Sequence, residues 1–177
     1  GSDDKTIEIA KQFGAVVKER VFDSFSNQKN HALSLATNEW VLHLDADEFV
    51  SSGLKEEIKN TLNNTLNDGF YLTRANFFLG KQMKYAGLAG EKRLRLAKKS
   101  LSKYTGGLVH EELIVNGKIG YMKNLFYHHS YPTLDSFFIK LNKYTTLSAM
   151  KMYERNKKFH ITDLIFRPLL EFLKRYL

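Results

Sequence analysis

Apolar positions recur along this chain at two spacings, and the alternation between them lays out its elements. Residues 6–13 place Ile7, Ile9, Ala10 and Phe13 at mixed helical spacing behind Ser2, Asp3 and Asp4, side chains suited to capping a helix start, and Gly14 ends the run. A β-prone run of Ala15, Val16 and Val17 follows, then a polar loop and a second helical stretch over 27–35. Residues 40–44 are apolar except for His43 and run straight into Asp45, Ala46, Asp47 and Glu48. That profile predicts a buried parallel strand ending in acid. After Ser51, Ser52 and Gly53, the residues Leu54, Ile58, Leu62 and Leu66 fall four apart and predict one face of an amphipathic helix.

Further along, 70–75 and 76–79 read as strands, and 80–99 as a basic loop around a strand, carrying Lys84, Lys92, Arg93, Arg95, Lys98 and Lys99. Two more strands are predicted at 112–115 and 119–122, joined by a turn at Asn116 and Gly117 where positive φ is easily reached. From Leu134 the pattern is helical to about Lys157. A last segment over 161–177 sets Leu164, Ile165, Phe166, Leu169, Leu170, Phe172 and Leu173 among Arg167, Lys174 and Arg175. It has the profile of a helix lying in a membrane interface, and equally of one docking on a core. The alternation of strands and helices points to an α/β fold.

Composition narrows the chemistry. A chain of 177 residues with 43% hydrophobic residues and 2 Pro is ordered, and at this length one domain buries roughly two thirds of its unfolded surface. The absence of cysteine excludes disulfides and thiolate metal sites, so a metal would be held by carboxylate, imidazole, water or substrate oxygens, which suits Mg²⁺ or Mn²⁺. The 27 Lys+Arg against 19 Asp+Glu leave a charge of +8, a field that favours phosphate-bearing partners or an anionic membrane face. No signal-peptide pattern opens the sequence, and no apolar run reaches the roughly 20 residues that a membrane-spanning helix requires. A cytoplasmic location, soluble or peripheral on the inner face of the membrane, is the expectation.

Asp45 and Asp47 are two apart, so on an extended chain both carboxylates face one side, at the carboxyl end of a strand where open α/β sheets bind ligands. A divalent cation would relieve their repulsion and complete its shell with diphosphate oxygens and water. The same tripeptide is also an ordinary strand-to-loop turn.

The surrounding blocks resemble glycosyltransferase family 2. They are GSDDKTIEIAKQFGA (1–15), NQKNHAL (27–33), EWVLHLDADEFVS (39–51), RLRLAKK (93–99), GGLVHEEL (106–113) and YHHSYPTL (127–134), in the family's order over most of the chain. The likeness is strongest to bacterial enzymes that add glucose to the lipopolysaccharide core. It implies a GT-A fold, a mixed sheet flanked by helices, with a catalytic core over 1–133 and a helical extension over 134–177. It implies inverting transfer of a hexose, glucose by the likeness, from a UDP-sugar to a lipid-linked or surface-glycan acceptor, with no nucleic-acid partner.

The resemblance also assigns roles. Asp47 would contact the metal and donor phosphates, Asp45 would lie near the nucleotide ribose or help hold the cation, and Glu48 would support the loop. Glu111, in the Val-His-Glu block, would be the general base that takes the acceptor proton, with Glu112 its competitor. His128 or His129 would reach the metal, and His128 is preferred. Lys29 would neutralise a phosphate and Asn30 would orient the loop carrying Asp45. Apart from the resemblance, Arg93 and Arg95 are two apart and on a strand would face one side, either clamping diphosphate or an acidic acceptor or forming a solvated basic edge that discourages strand pairing. Family members begin with a β-α-β unit before the Gly-Ser-x-Asp-Asp block, so the likeness implies a fragment incomplete at its N-terminus. The competing reading is a basic nucleic-acid-binding or membrane-docking domain without catalysis, motivated by the charge of +8 and the 13 Phe and 9 Tyr residues.

Overall fold

The computed structural model describes residues 4–85, 89–106, 111–158 and 160–176. Ser2 and Asp3, expected at the first helix start, lie outside them, as does His110. Asp4 remains, and its carboxylate accepts the Thr6 N–H at 3.0 Å ahead of α1 (Thr6–Gln12). Gly14, at φ +76°, turns the chain away as expected. Ala15, Val16 and Val17 form no strand, and Val16 is exposed. A β-prone run holds strand geometry only when a neighbour exchanges ladder bonds with it, and among the described residues none pairs with this one.

The remaining elements are α2 (Phe25–Leu35), β1 (Trp40–Leu42), β2 (Glu48–Val50), α3 (Ser52–Leu62), β3 (Gly69–Phe78), β4 (Lys81–Gln82), β5 (Ala89–Lys98), β6 (Ser102–Thr105), β7 (Glu112–Val115), β8 (Ile119–Tyr131), α4 (Leu134–Glu154) and α5 (Ile161–Tyr176). The main sheet runs β1-β5-β3-β8-β2, with β4 on β3, and β6 pairs β7 in a small second sheet. Only β3 and β8 pair in parallel among the described strands. The result is a mixed α/β architecture, as the pattern predicts.

Strand direction departs from expectation. β1 is a half-buried edge strand antiparallel to β5, with Trp40 opposite Lys98 and Leu42 opposite Leu96. Its apolar run arises because Trp40 and Leu42 pack on the core while Val41 lines a small cavity with Ala32 and Leu33 of α2. Covering on both faces makes a strand apolar whichever way its partner runs. The expected hairpin at Asn116 and Gly117 is also absent: β7 turns back on β6, and β8 enters the main sheet beside β3. Asp68 fixes this link, taking the Lys118 N–H at 3.0 Å while its own N–H donates to Lys118 O at 2.6 Å. A Cβ on Gly117 would stand 2.4 Å from that carboxylate, so close approach, and not positive φ, requires glycine here.

The core lies between α3 and one face of the sheet. Ser51 caps α3 by accepting the Leu54 N–H at 3.1 Å, and Leu54 packs fully buried with Phe70, Leu72, Leu96, Met122 and Phe126. Ile58 and Leu62 continue that helical face, whereas Leu66 lies past the helix end and is exposed. Where β8 bulges against β3, the freed N–H groups of Lys123 and Asn124 both donate to Glu57 of α3 at 2.9 Å. Alternation along β3 and β5 sends Phe70, Leu72 and Leu96 into this core and turns Tyr71 and Arg95 toward the opposite face.

Phe126 is the largest of the fully buried side chains. Phe126→Ala is expected to lower unfolding stability by about 3–5 kcal/mol, read from urea denaturation; a loss under about 1 kcal/mol would contradict this placement of the core.

Candidate functional site

The acidic segment after β1 is a turn. His43 N–H donates to Arg95 O at 2.7 Å, and two residues later Asp45 O accepts the Glu48 N–H at 3.0 Å, closing four residues on themselves. Asp45 and Asp47 therefore do not project from one side of an extended strand. β2 starts at Glu48, opposite His128 of β8, and Asp47 O accepts the His129 N–H at 2.9 Å, so the turn is tied to β5 on one side and β8 on the other.

Glu48 is buried, and its carboxylate accepts the Asp45 N–H at 3.0 Å and a bond from Arg95 Nη2 at 2.5 Å. Its expected role of supporting the loop matches these bonds. Arg95 Nη2 also lies 2.7 Å from Asp45 Oδ2, and Lys29 Nζ bridges Asp45 Oδ1 at 2.9 Å and Glu111 Oε1 at 2.8 Å. Charges of alternating sign thus run Glu48, Arg95, Asp45, Lys29, Glu111. Burial works against the Lys29 and Arg95 charges, but the carboxylates beside them hold both above their ordinary range. Burial likewise opposes the Asp45 charge, and Arg95 and then Lys29 overcome it and hold that carboxyl low.

Asp47 faces the other way, with about a third of its side chain exposed, and its Oδ2 lies 3.5 Å from both His128 Nε2 and Lys140 Nζ. His128 Nδ1 is 2.9 Å from both Asn76 Oδ1 and Ser130 Oγ. Burial, reinforced by Arg74, depresses the His128 pKa against the pull of Asp47, so the ring is neutral at neutral pH. His129 stacks on Phe77 with ring centroids 4.5 Å apart and meets the edge of Phe49. Of the two candidate histidines, His128 is the one facing Asp47.

A cleft of about 710 Å³ opens beside the turn. Lys29, Asp45, Asp47, Arg95, Glu111 and His128, all predicted from sequence, contribute to it, as do Arg93 and Glu112. Asn30 does not orient the acidic turn; its side-chain amide exchanges two 2.8 Å bonds with the Tyr104 backbone and pins β6 against α2. Arg95 lines the cleft but is largely buried and held by Asp45 and Glu48, which suits it to positioning Asp45 more than to clamping a diphosphate. Sequence reasoning missed Arg74, Tyr104, Ser130, Lys140 and Tyr144. Lys140 and Tyr144 fall four apart on α4, a spacing that puts them on one face, but nothing in the sequence ties that face to the acidic turn.

The expected ligand set of Asp45, Asp47 and His128 does not assemble: among the described residues no group of three His, Asp or Glu side chains converges for a metal, and Lys29 and Arg95 hold both Asp45 oxygens. Asp47 and His128 do converge, at a point where the Lys140 ammonium already places positive charge. A carboxylate and a neutral imidazole fit a hard cation that takes most of its shell from substrate phosphates and water.

The family model for Glycosyl transferase family 2 matches residues 1–165. An uncharacterized glycosyltransferase of Rickettsia typhi is 27% identical over 187 residues, covering 99% of this chain and 64% of that protein. The counterpart from Rickettsia prowazekii has the same identity and coverage. The lipopolysaccharide core biosynthesis glycosyltransferase LpsC of Rhizobium meliloti is 28% identical over 157 residues, covering 86% of this chain and 57% of that protein. The chain thus spans between 57% and 64% of the length of these relatives.

The buried charges also set a pH response. His43 Nε2 is buried without a hydrogen-bond partner among the described residues, its ring edge-on to Tyr104 at 5.2 Å, and burial, then Arg95 and Lys29, push its pKa down to about 4. The unfolded chain binds this proton near 6.5 and the folded chain resists it to about 4. Stability is therefore complete above pH 6.5 and falls by of order 3 kcal/mol as pH drops from 6.5 to 4. In His43→Phe that component disappears, so the fall in Tm between pH 7 and pH 4.5 should be clearly smaller than in the wild type; parallel pH profiles would refute the assignment.

Proposed function

The chain belongs to glycosyl transferase family 2, and we propose that the protein carries out inverting transfer of a hexose, glucose in this reading, from a UDP-sugar to a glycan acceptor of the lipopolysaccharide-core type. The observation that carries the proposal is the meeting of Asp47, His128 and Glu111 in one cleft, with Lys29 bridging Glu111 to Asp45. The Rhizobium relative, a lipopolysaccharide core biosynthesis glycosyltransferase, supports the acceptor class.

In this reading Glu111 accepts the proton of the acceptor hydroxyl as its oxygen attacks the anomeric carbon. The bond from that carbon to the phosphate oxygen breaks, and the nucleoside diphosphate leaves from the opposite side, which inverts the centre in one displacement. Lys29 positions Glu111, and its ammonium offsets the charge of two carboxylates so that both can stand in one cleft. Asp45, fixed by Lys29 and Arg95, faces the nucleotide side. Mg²⁺ or Mn²⁺ at Asp47 and His128 would supply charge stabilisation to the diphosphate leaving group. Arg74, Lys92 and Arg93 add positive charge along the wall for phosphate or an acidic acceptor.

No helix among the described residues is long and apolar enough to cross a membrane. α5 exposes Ile161, Leu164, Ile165, Leu169 and Phe172 beside Arg167 and Lys174. Such a helix suits the interface of an anionic leaflet, a cytoplasmic placement where lipid-linked acceptors are presented.

Calorimetric titration with UDP, with and without Mn²⁺, tests the site. Binding should require Mn²⁺ and weaken at least about tenfold in Asp47→Ala, whereas Glu111→Gln should keep donor binding and lose about 10²–10⁴ of the transfer rate. Metal-independent UDP binding, or full transfer by Glu111→Gln, would count against the mechanism.

A further inference from the structure

Lys140 stands where the preceding reading puts a cation. Its ammonium donates to Ser130 O at 2.9 Å and lies 3.5 Å from Asp47 Oδ2. His128 Nε2 lies 3.5 Å from the same Asp47 oxygen. The ammonium, the carboxylate and the imidazole therefore share one end of the cleft, and the positive charge that Asp47 needs is supplied from α4. Two positive centres cannot share one carboxylate oxygen in a cleft partly shielded from water without strong repulsion. A divalent ion arriving at Asp47 must displace Lys140.

The surroundings leave the displaced group within reach of the cleft. Lys140 is tethered near its tip by the Ser130 carbonyl, its ammonium lies 5.4 Å from the Tyr131 ring centroid, and Tyr144, one turn further along α4, lines the same cleft. The side chain is 40% exposed, so it can pivot without disturbing packed neighbours. A small rotation about a flexible stem turns the charge from Asp47 into the cleft, where an anion bound to the cation would stand.

We propose that Lys140 is an exchangeable counter-ion: it neutralises Asp47 in the free protein and moves onto the diphosphate of a nucleotide sugar when a divalent cation takes Asp47 and His128. This rests on the reading of Asp47 and His128 as the cation site. Its consequence is a pair of opposite effects. Lys140 opposes binding of the cation alone and favours binding of the diphosphate once the cation is present, so the two ligands bind cooperatively through one side chain.

The test uses Mn²⁺ and UDP separately. Free Mn²⁺ is followed by electron paramagnetic resonance without nucleotide, and UDP is then titrated calorimetrically at saturating Mn²⁺. The proteins are wild type, Lys140→Met, which keeps the stem and removes the charge, and Lys140→Arg. Lys140→Met is expected to bind Mn²⁺ alone about three- to tenfold more tightly and UDP about tenfold more weakly, and Lys140→Arg to recover part of the UDP affinity. A merely structural role would shift both affinities in the same direction and leave no rescue by Arg. Unchanged or weaker Mn²⁺ binding by Lys140→Met, with wild-type Mn²⁺ binding still abolished by Asp47→Asn, overturns this proposal alone. Wild-type protein that binds no Mn²⁺, or binds it regardless of Asp47→Asn, overturns the cation-site reading and this proposal with it.

Discussion

The arrangement of this cleft depends on one interaction, the buried pairing of Glu48 with Arg95. Glu48 opens β2 at one edge of the main sheet and Arg95 sits on β5, with β3 and β8 between them in strand order. A carboxylate this buried is costly unless paired and hydrogen-bonded, and Glu48 is both, through Arg95 and the Asp45 N–H. Arg74 from β3, 3.8 Å from the same carboxylate, adds a second positive neighbour. Because Arg95 also holds Asp45, the pairing that compensates the burial of Glu48 dictates where the acidic turn points. Loss of either partner would leave a charge stranded in the interior, so geometry and stability are locked together here.

From that anchor the two aspartates of the turn acquire different work. On a strand, residues two apart share a side; in the tight turn closed between Asp45 and Glu48 they diverge. Asp45 turns toward Arg95 and Lys29, and through Lys29 it steadies Glu111. Asp47 turns toward β8 and α4, where its neighbours are a neutral imidazole and a flexible ammonium. One carboxylate is committed to holding the site in shape and the other remains open to a ligand, a division set by backbone conformation and not by residue type.

The sequence made the local events legible and the pairings only in part. Helix positions followed from capping and from four-residue spacing, because those signals act within a turn or two of chain: Ser51 with Leu54, Ile58 and Leu62 is the clearest case. Strand direction did not follow, since the apolar run at Trp40–Leu42 reports covering on both faces and says nothing of how β5 runs beside it. The Asn116–Gly117 turn misled for a related reason, as glycine there answers to the approach of Asp68 from a distant loop. In the site, the acidic turn, Lys29, Glu111 and His128 were readable because the family blocks carry them. The partners of Asn30 and Lys140 are not legible in the sequence, because each depends on which distant element lies alongside: β6 for Asn30 and the acidic turn for α4.

The cations of the cleft fall into two groups, and the distinction bears on which ligand the cleft suits. Arg95 and Lys29 are held by Glu48, Asp45 and Glu111, and Arg74 and Arg93 share Glu91, so handing these cations to a ligand would weaken the pairing of a carboxylate of the protein. Lys92 instead lies over the Tyr121 ring at 4.6 Å, and Lys140 rests on a backbone carbonyl with Asp47 at the longer distance of 3.5 Å. An ammonium on a π face or a carbonyl gives up little of those contacts by moving to a phosphate, because they are weaker than a charge-assisted bond. The cleft therefore combines a fixed charge lattice, which shapes it, with a few loosely held ammonium groups that can follow a ligand. A polyanion that arrives with its own cation suits that combination, since it supplies Asp47 with a replacement partner at the moment it takes Lys140 away.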